Sequence, residues 1–542
     1  MPGTAPATDP DLTAAVVGAA RGVVVSAHHL ANRTGVAILR ARGNAVDAAI
    51  AANAVLGVVL PDTCGLGGDL FALVHRPGDP VPAALNASGR AGSGADGDWL
   101  RGAGHTTIPI HGPEGITVPG CVDGWEALLA RFGTLSLAEV LAPAIALATD
   151  GFEVSVELAD SLSRLTGLIG GQPSAAALYP DGSPPAPGSV LRRRDLASTL
   201  AQVADRGRSA FYAGPVGEAI TAASGAMITL DDLSVVQADW VDPIGLGLHG
   251  LDAWTIPPNS RGYLTLAATW LANRLQAPPG SALRHHQLIE AYRAAAADAA
   301  DLVCDPATAP VAPVDLVDED RLRSRLGAIG PDQVATWPGP APATGGTTYL
   351  CCRDGSGMGI SLIQSNFHGI GSGLAAGATG VFLHNRGAGF NLVPGHPNEL
   401  AAGRRPAHTL SPTLWTGDGE LRMLLGTRGG ALPAPTPGAD DRPPLHRRAL
   451  ASRGDAPSSV GDRGRRGCGR GGYGGRGRHR ARRPRSPPLQ GGAVAGGLGT
   501  GGGPLRRRWN RLGGRRSTGV DLGGGHRLTG STAPAGPRPS RF

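Results

Sequence analysis

The chain has 542 residues, 41% of them hydrophobic and 17% charged, enough to bury the core of two to four ordinary domains or of one large layered one. Its formal net charge of +7 is unevenly placed: from 431 to 542 there are 23 arginines against five aspartates and no glutamate, a balance of +18, which leaves residues 1–430 at −11. The body therefore reads as an ordinary acidic soluble protein, and no apolar run reaches the roughly 18 residues of a membrane span; the nearest, 45–60, is too short.

All 50 basic residues are arginine, a signature of GC-rich coding rather than of function. The six cysteines, Cys64, Cys121, Cys304, Cys351, Cys352 and Cys468, show neither metal spacing nor a disulfide framework. Residues 1–12 have no basic region and no apolar region of the kind a leader needs. These features predict a cytoplasmic protein with reduced, buried thiols, without a membrane partner and without a metal or organic cofactor.

In chain order, residues 22–27 read as a short buried strand and 30–41 as a helix closed by Arg42, Gly43 and Asn44. A second, almost wholly apolar helix covers 47–60. The glycine turn 65–69 leads into a strand over 70–75. Glycines before a strand stand in the wrong order for a phosphate loop, so they are read as allowing close backbone packing. Residues 115–120 read as a strand and turn. Helices are predicted over 122–132, 136–151, 154–165, 193–206, 264–271 and 285–301, with Ser136 and Glu139 forming a capping box. Residues 211–214 read as a turn. Adjacent His285 and His286 face different directions and make a poor ligand pair.

After a Pro/Ala/Gly-rich linker at 337–342, the pattern changes at Gly346-Thr347-Thr348 to a hairpin over 347–364 that turns at 353–357. A polar glycine loop follows at 365–373, then a strand over 381–385, then a second hairpin that ends in Gly429 and Gly430. A threonine at a linker-to-strand junction has a chemical use. If the chain is cut before Thr347, that residue carries a hydroxyl nucleophile and an α-amine base together, and such an amine has a pKa near ~8. The plain alternative is two β-formers opening an ordinary hairpin. Consecutive glycines at a strand end, as at Gly429 and Gly430, can turn backbone N–H groups toward an oxyanion.

Several stretches, taken in order, resemble the γ-glutamyltranspeptidase family of N-terminal nucleophile hydrolases over about residues 22–430. They are Gly43-Asn44-Ala45-Val46-Asp47-Ala48-Ala49, Gly65-Leu66-Gly67-Gly68, Gly115-Ile116-Thr117-Val118-Pro119-Gly120, Asp150-Gly151-Phe152, Ala210-Phe211-Tyr212, Leu230-Asp231-Asp232-Leu233, Gly346-Thr347-Thr348, Arg405-Pro406, Leu410-Ser411-Pro412-Thr413 and Gly429-Gly430. The resemblance implies an α/β fold, a four-layer αββα sandwich, made as a self-cleaving precursor. Residues 1–346 would be the large-subunit part and 347–430 the small one, the two remaining associated. Thr347 would be both the autoprocessing group and the nucleophile, Ser365 its hydrogen-bonding hydroxyl, and Gly429 and Gly430 the oxyanion glycines. The implied activity is amide hydrolysis or acyl transfer on a small-molecule amide or γ-glutamyl substrate such as glutathione.

Candidate substrate contacts are Arg90, Arg386, His408 and Thr409, and here the pattern departs from the family. The loop that holds the glutamate carboxylate falls at 86–91, where Ser88 stands in register and Arg90 lies two residues later. The acid for the α-amino group falls at Gly389. The paired serines correspond to His408 and Thr409. Altered or low γ-glutamyl activity is therefore expected.

From 431 the sequence turns Arg/Gly/Pro-rich and apolar periodicity is lost. A reading-frame shift, a disordered basic tail and a folded third domain are the three readings; the first predicts an incomplete sandwich with exposed sheet edges and poor maturation. The segment 469–478 also resembles nucleic-acid-binding Gly/Arg tracts. The rival function is thus a catalytically impaired family member whose tail binds nucleic acid. Only Tyr473 and Trp509 interleave with the arginines, so stacking capacity is thin and a merely solvated tail is the reading these residues favour.

Overall fold

A computed structural model describes residues 21–337 and 346–427. Gly429, Gly430 and the tail from 431 lie outside the described residues. The strands are β1 (Gly22–Val25), β2 (Asp69–His75), β3 (Ala83–Ala87), β4 (Phe152–Glu153), β5 (Val190–Leu191), β6 (Asp239–Val241), β7 (Ile244–Leu248), β8 (Leu251–Thr255), β9 (Gly346–Asp354), β10 (Gly359–Phe367), β11 (Thr413–Gly417) and β12 (Glu420–Leu425). A six-stranded sheet runs β1-β9-β10-β2-β3-β6 and a four-stranded sheet runs β12-β11-β8-β7; β4 and β5 form a separate ribbon.

Alternation along the strands sorts side chains into layers. On β2, Leu70, Ala72 and Val74 pack with the helices Ala45–Val59 and Cys121–Phe132. Phe71 and Leu73 point the other way and meet Leu414 and Leu421 of the second sheet. The outer face of that sheet, through Ile244, Ala253 and Trp415, buries Trp270 and Ala291 of the helices Tyr263–Asn273 and Ala282–Ala296. The result is helix, sheet, sheet, helix: the αββα sandwich.

The helix Ala45–Val59 is buried along its whole length, so it presents no solvated face. Its start carries a capping box of Asn44 and Asp47, and Asp47 also accepts from the Thr134 hydroxyl at 2.6 Å. Its end is held by the buried Arg193, which donates to the carbonyls of Gly57 and Val58 and to Gly380 O. Those carbonyls have no partner within the helix, so the cation meets the negative end of the dipole. The Ser136–Glu139 capping box forms as expected ahead of Leu137–Asp150. Among the described residues no helix is long and apolar enough to cross a membrane.

Four local expectations are corrected. Residues 115–120 form no strand: a 3-10 turn at Pro113–Gly115 leads into extended backbone whose amides go to single partners, Val118 N to Arg90 O and Gly120 N to Gly68 O. The expected turn at 211–214 is the end of a short helix, Arg208–Tyr212, held by Tyr212 Oη on Pro119 O. Residues 381–385 make one isolated bridge, Phe382 to Ala375, because their other backbone groups turn to loops. The helix expected over 285–301 stops at Ala296 and a separate turn, Ala299–Leu302, follows Asp298, which faces Arg321 and Arg325. Cys351 is half-buried, since its partner across the ladder is the exposed Val25 of the short edge strand β1; the other four described thiols are buried, and all five are free.

Candidate active site

Thr347 is the second residue of β9. It shares its face with Tyr349, which packs into the core between the two sheets, so its side chain lies at one end of that inter-sheet layer. On β10, Ser365 shares a face with Ile363, another inter-sheet residue. The two strands pair antiparallel, Gln364 opposite Thr348, but the register shifts before Phe367 meets Gly346. This bulge, with Phe367 at a left-handed φ of 75°, folds the strand end back so that Ser365 faces the Gly346–Thr347 peptide.

The hydrogen bonds there have a direction. Thr347 Oγ1 donates to Ser365 Oγ at 3.1 Å, and Ser365 Oγ donates to Gly346 O at 2.7 Å. Phe367 N donates to the same Ser365 oxygen at 2.8 Å. Ser365 thereby accepts a hydrogen bond from the Thr347 hydroxyl while donating its own to the carbonyl of the bond behind Thr347. Both side chains are buried. The glycine turn presses on this strand: a Cβ at Gly68 would lie 2.5 Å from Ser365 O, and one at Gly67 2.1 Å from Phe382 O. The close-packing reading of those glycines holds.

Next to Ser365 in the sheet register is Asp69, fully buried. Its Oδ1 accepts from Gly89 N at 2.9 Å, and its Oδ2 accepts from His408 Nε2 at 3.1 Å and lies 3.6 Å from His384 Nδ1. Leu410 N donates to His408 Nδ1, which fixes the proton on Nε2. His384 Nε2 in turn faces Thr117 O at 2.8 Å. Burial alone would raise the Asp69 carboxyl; His384, the His408 hydrogen bond and the Gly89 amide outweigh it and hold it below the usual carboxylate range. Burial, aided by Arg386, pushes the His408 imidazole down to about 3. Among the described residues no group of three or more His, Cys, Asp or Glu has an arrangement that could hold a metal ion.

The His408 shift has a measurable consequence. Below about pH 6.5 the unfolded chain protonates this ring, and the folded chain refuses the proton down to about 3. Stability should therefore fall on acidification from 6.5, with His408 alone removing about 2 kcal/mol by pH 5. Urea melts of wild type and His408→Gln at pH 7 and pH 5 check this: the variant should lose less between the two.

Arg386 is also fully buried. Its guanidinium lies 3.5 Å over the Phe367 ring, and one arm donates to Thr409 Oγ1 at 3.3 Å. Burial pushes it down to about 9, against the pull of Asp69, so it stays a cation at neutral pH. Arg90 is engaged elsewhere, bonding Asp239 at 2.7 Å and Gln237 at 3.4 Å. Ser88 is closed in by Asn86 and Asn259. At Gly389 a Cβ would lie 2.5 Å from Ala407 O, so an acid does not fit there without moving backbone.

Thr347, Ser365, His408, Arg386 and Thr409 thus converge, and Arg90 turns away to Asp239. Asp69 and His384 were not singled out from the sequence. The signal for Asp69 was present: it shares strand parity with Phe71 and Leu73, so it belonged on the inter-sheet face. His384 had no comparable signal.

An αββα sandwich with a buried threonine opening a central strand defines an N-terminal nucleophile type of amide hydrolase. The chain belongs to the γ-glutamyltranspeptidase family, whose profile matches residues 31–434. It is 36% identical over 416 residues to the glutathione hydrolase-like YwrD proenzyme of Bacillus subtilis, covering 75% of this chain and 78% of that protein. It is 37% identical over 422 residues to the oxamate amidohydrolase proenzyme of Klebsiella pneumoniae, covering 76% and 79%. Among solved structures, cephalosporin acylase from Bacillus halodurans superposes with a TM-score of 0.72 at 32% identity, over 78% of this chain and 80% of that one. The nucleic-acid reading gains nothing from these likenesses.

Proposed function

We propose that Thr347 is both the self-cleaving group and the nucleophile of an amide hydrolase. The observation that carries this is the Thr347–Ser365–Gly346 triangle of hydrogen bonds. Thr347 Oγ1 attacks the Gly346 carbonyl carbon, Ser365 relays the hydroxyl proton to the departing amide nitrogen, and an ester replaces the peptide bond. Water then releases the Gly346 carboxylate and leaves Thr347 with a free amine. In turnover that amine takes the Thr347 proton and passes it to the leaving amine of the substrate, while Thr347 Oγ1 holds the acyl group until water or another amine removes it. Gly429 and Gly430 are the proposed oxyanion donors. The cut would not separate the two parts, because β9 stays paired with β1, β10 with β2, and β11 with β8. Five free thiols among the described residues support placement in the reducing cytoplasm.

Intact mass with N-terminal sequencing of purified protein tests the reading: a new N-terminus at Thr347 is expected, and an uncut chain that still cleaves amides would overturn it. Ser365→Ala should slow processing about 100-fold, the usual effect of losing one positioned donor. A time course of the two bands reads this.

Glutathione is expected to be a poor donor. Nothing at 389 counters its α-ammonium group, and Arg90 is held by Asp239. Each missing charged hydrogen bond costs about 1.5–3 kcal/mol, so kcat/KM should fall about 100-fold or more below that of a family member carrying the acid, assayed side by side. Comparable rates would refute this.

A further inference from the structure

Glu290 sits on the helix Ala282–Ala296 with only 1% of its side chain exposed. One carboxylate oxygen accepts from Arg293 Nη1 on the same helix. The other accepts twice from a different part of the chain, at 3.1 Å from Ala335 N and at 3.0 Å from the Trp337 indole N–H. Both of these donors lie in the irregular segment 327–337, which follows the helix Glu319–Leu326. His286, one turn earlier on the helix of Glu290, faces Gly330 O through Nε2 at 2.9 Å. The Trp337 ring packs on the core between the second sheet and its helices. A buried carboxylate is costly unless it is hydrogen-bonded. Here two of its three donors come from a segment with no helix or strand of its own, so the carboxylate straps that segment to the helix.

We propose that Glu290 is a positioning residue for self-cleavage: it fixes the chain at Ala335 and Trp337 so that Gly346 is presented to Thr347 and Ser365, given that Thr347 is the self-cleaving group. The substrate of that step is the chain itself, and its rate follows how often the peptide to be cut sits in the attacking geometry. On the C-terminal side, β9 is held by its ladders with β1 and β10. At the bond itself, Gly346 O accepts from Ser365, and a Cβ added to Gly346 would stand 3.0 Å from Asp62 O. On the N-terminal side, Trp337 is the last described residue, and eight residues, 338–345, separate it from Gly346. Without the Glu290 bonds, the nearest hold on that helix is at Gly330, and the connecting stretch becomes fifteen residues, 331–345. The chance that the ends of a connecting chain meet falls roughly as the 3/2 power of its length, so cutting should slow about 2.5-fold. The effect ends with the cut. Once Thr347 carries a free amine, acyl transfer no longer involves the bond to Gly346.

Pulse-labelled cell-free synthesis of the full-length chain, followed on gels, gives the first-order rate of cutting before Thr347. Glu290→Gln should slow it about 2.5-fold, and so should the pair Ala335→Pro with Trp337→Ala, which removes both donors and leaves the helix of Glu290 untouched. Inserting eight Gly/Ser residues after Trp337 doubles the connecting stretch while every Glu290 bond stays, and it should slow cutting about 3-fold. A carboxylate that only stabilised the fold would leave that insertion without effect. Hydrolysis of acyl p-nitroanilides per mole of cut chain should equal wild type in all three proteins. Cutting at the wild-type rate in the variants, an insertion without effect, or a loss of turnover that parallels the loss of cutting would each overturn the role of Glu290. If Glu290→Gln does not fold, the donor pair and the insertion decide. A wild-type chain that stays whole removes the self-cleaving role of Thr347 and with it that of Glu290, whereas a wild type and variants cut equally fast remove Glu290 alone.

Discussion

Thr347→Ala is expected to yield one uncut chain and to lower amide hydrolysis by at least about four orders of magnitude, as removal of a nucleophile does in other acyl-transfer enzymes. The loss should be large because the proposed role of the residue is double. Without Oγ1 the Gly346–Thr347 bond has no attacking atom, and without that cut there is no α-amine to act as base. The fold should tolerate the change: Thr347 donates a single side-chain hydrogen bond, to Ser365. Ser365 keeps its bonds to Gly346 O and Phe367 N. Thr347→Ser should restore both cutting and turnover. Gel bands, N-terminal sequencing and a rate assay on the same preparations read all of this. Full activity in the alanine variant would remove the enzyme assignment, and a second cut elsewhere would move it.

The other large effect is expected at Asp69, and on stability. Asp69→Ala strips the acceptor from Gly89 N–H and His408 Nε2–H at once, both buried, at a cost of about 3–5 kcal/mol. Asp69→Asn keeps the shape but not the chemistry. An amide turned to accept from Gly89 N points its NH2 at the protonated His408 Nε2. Relief requires the other His408 tautomer, which then loses the bond from Leu410 N. The asparagine variant should therefore fall between wild type and alanine, losing about 1–3 kcal/mol. Denaturant midpoints of the three proteins at pH 7 check the order. An asparagine variant as stable as wild type would show that the ionised carboxylate is not what holds His408.

The residue-level reading was strongest where a rule of short range applied. Parity within β9 and β10, the turn at 353–357 and the change from linker to strand at 346–347 all concern neighbours in the chain. They located Thr347 and the hairpin behind it. Arg90 shows the limit of such reasoning. Its place in a loop of the right kind made it a candidate for a carboxylate, yet Asp239, 149 residues away, claims it at 2.7 Å. Likewise, residues 115–120 and 381–385 have strand-like composition but no neighbouring strand to pair with, because loops and turns occupy their amides. β-propensity describes a side chain's fit to a sheet, and it cannot supply the partner.

The chain alone, then, pointed to the hairpin and to Thr347 as the candidate nucleophile, because alternation, glycine turns and a threonine at a strand start are written within a few residues of one another; the four layers were expected only from the likeness to the family. Tertiary structure alone decided what surrounds that threonine. Asp69, His384, Arg386 and His408 come together only when β2 and β10 pair and the 384–409 loops close over their ends. Their protonation follows from shared burial and mutual charge, which belong to the packed assembly and to no single stretch of sequence.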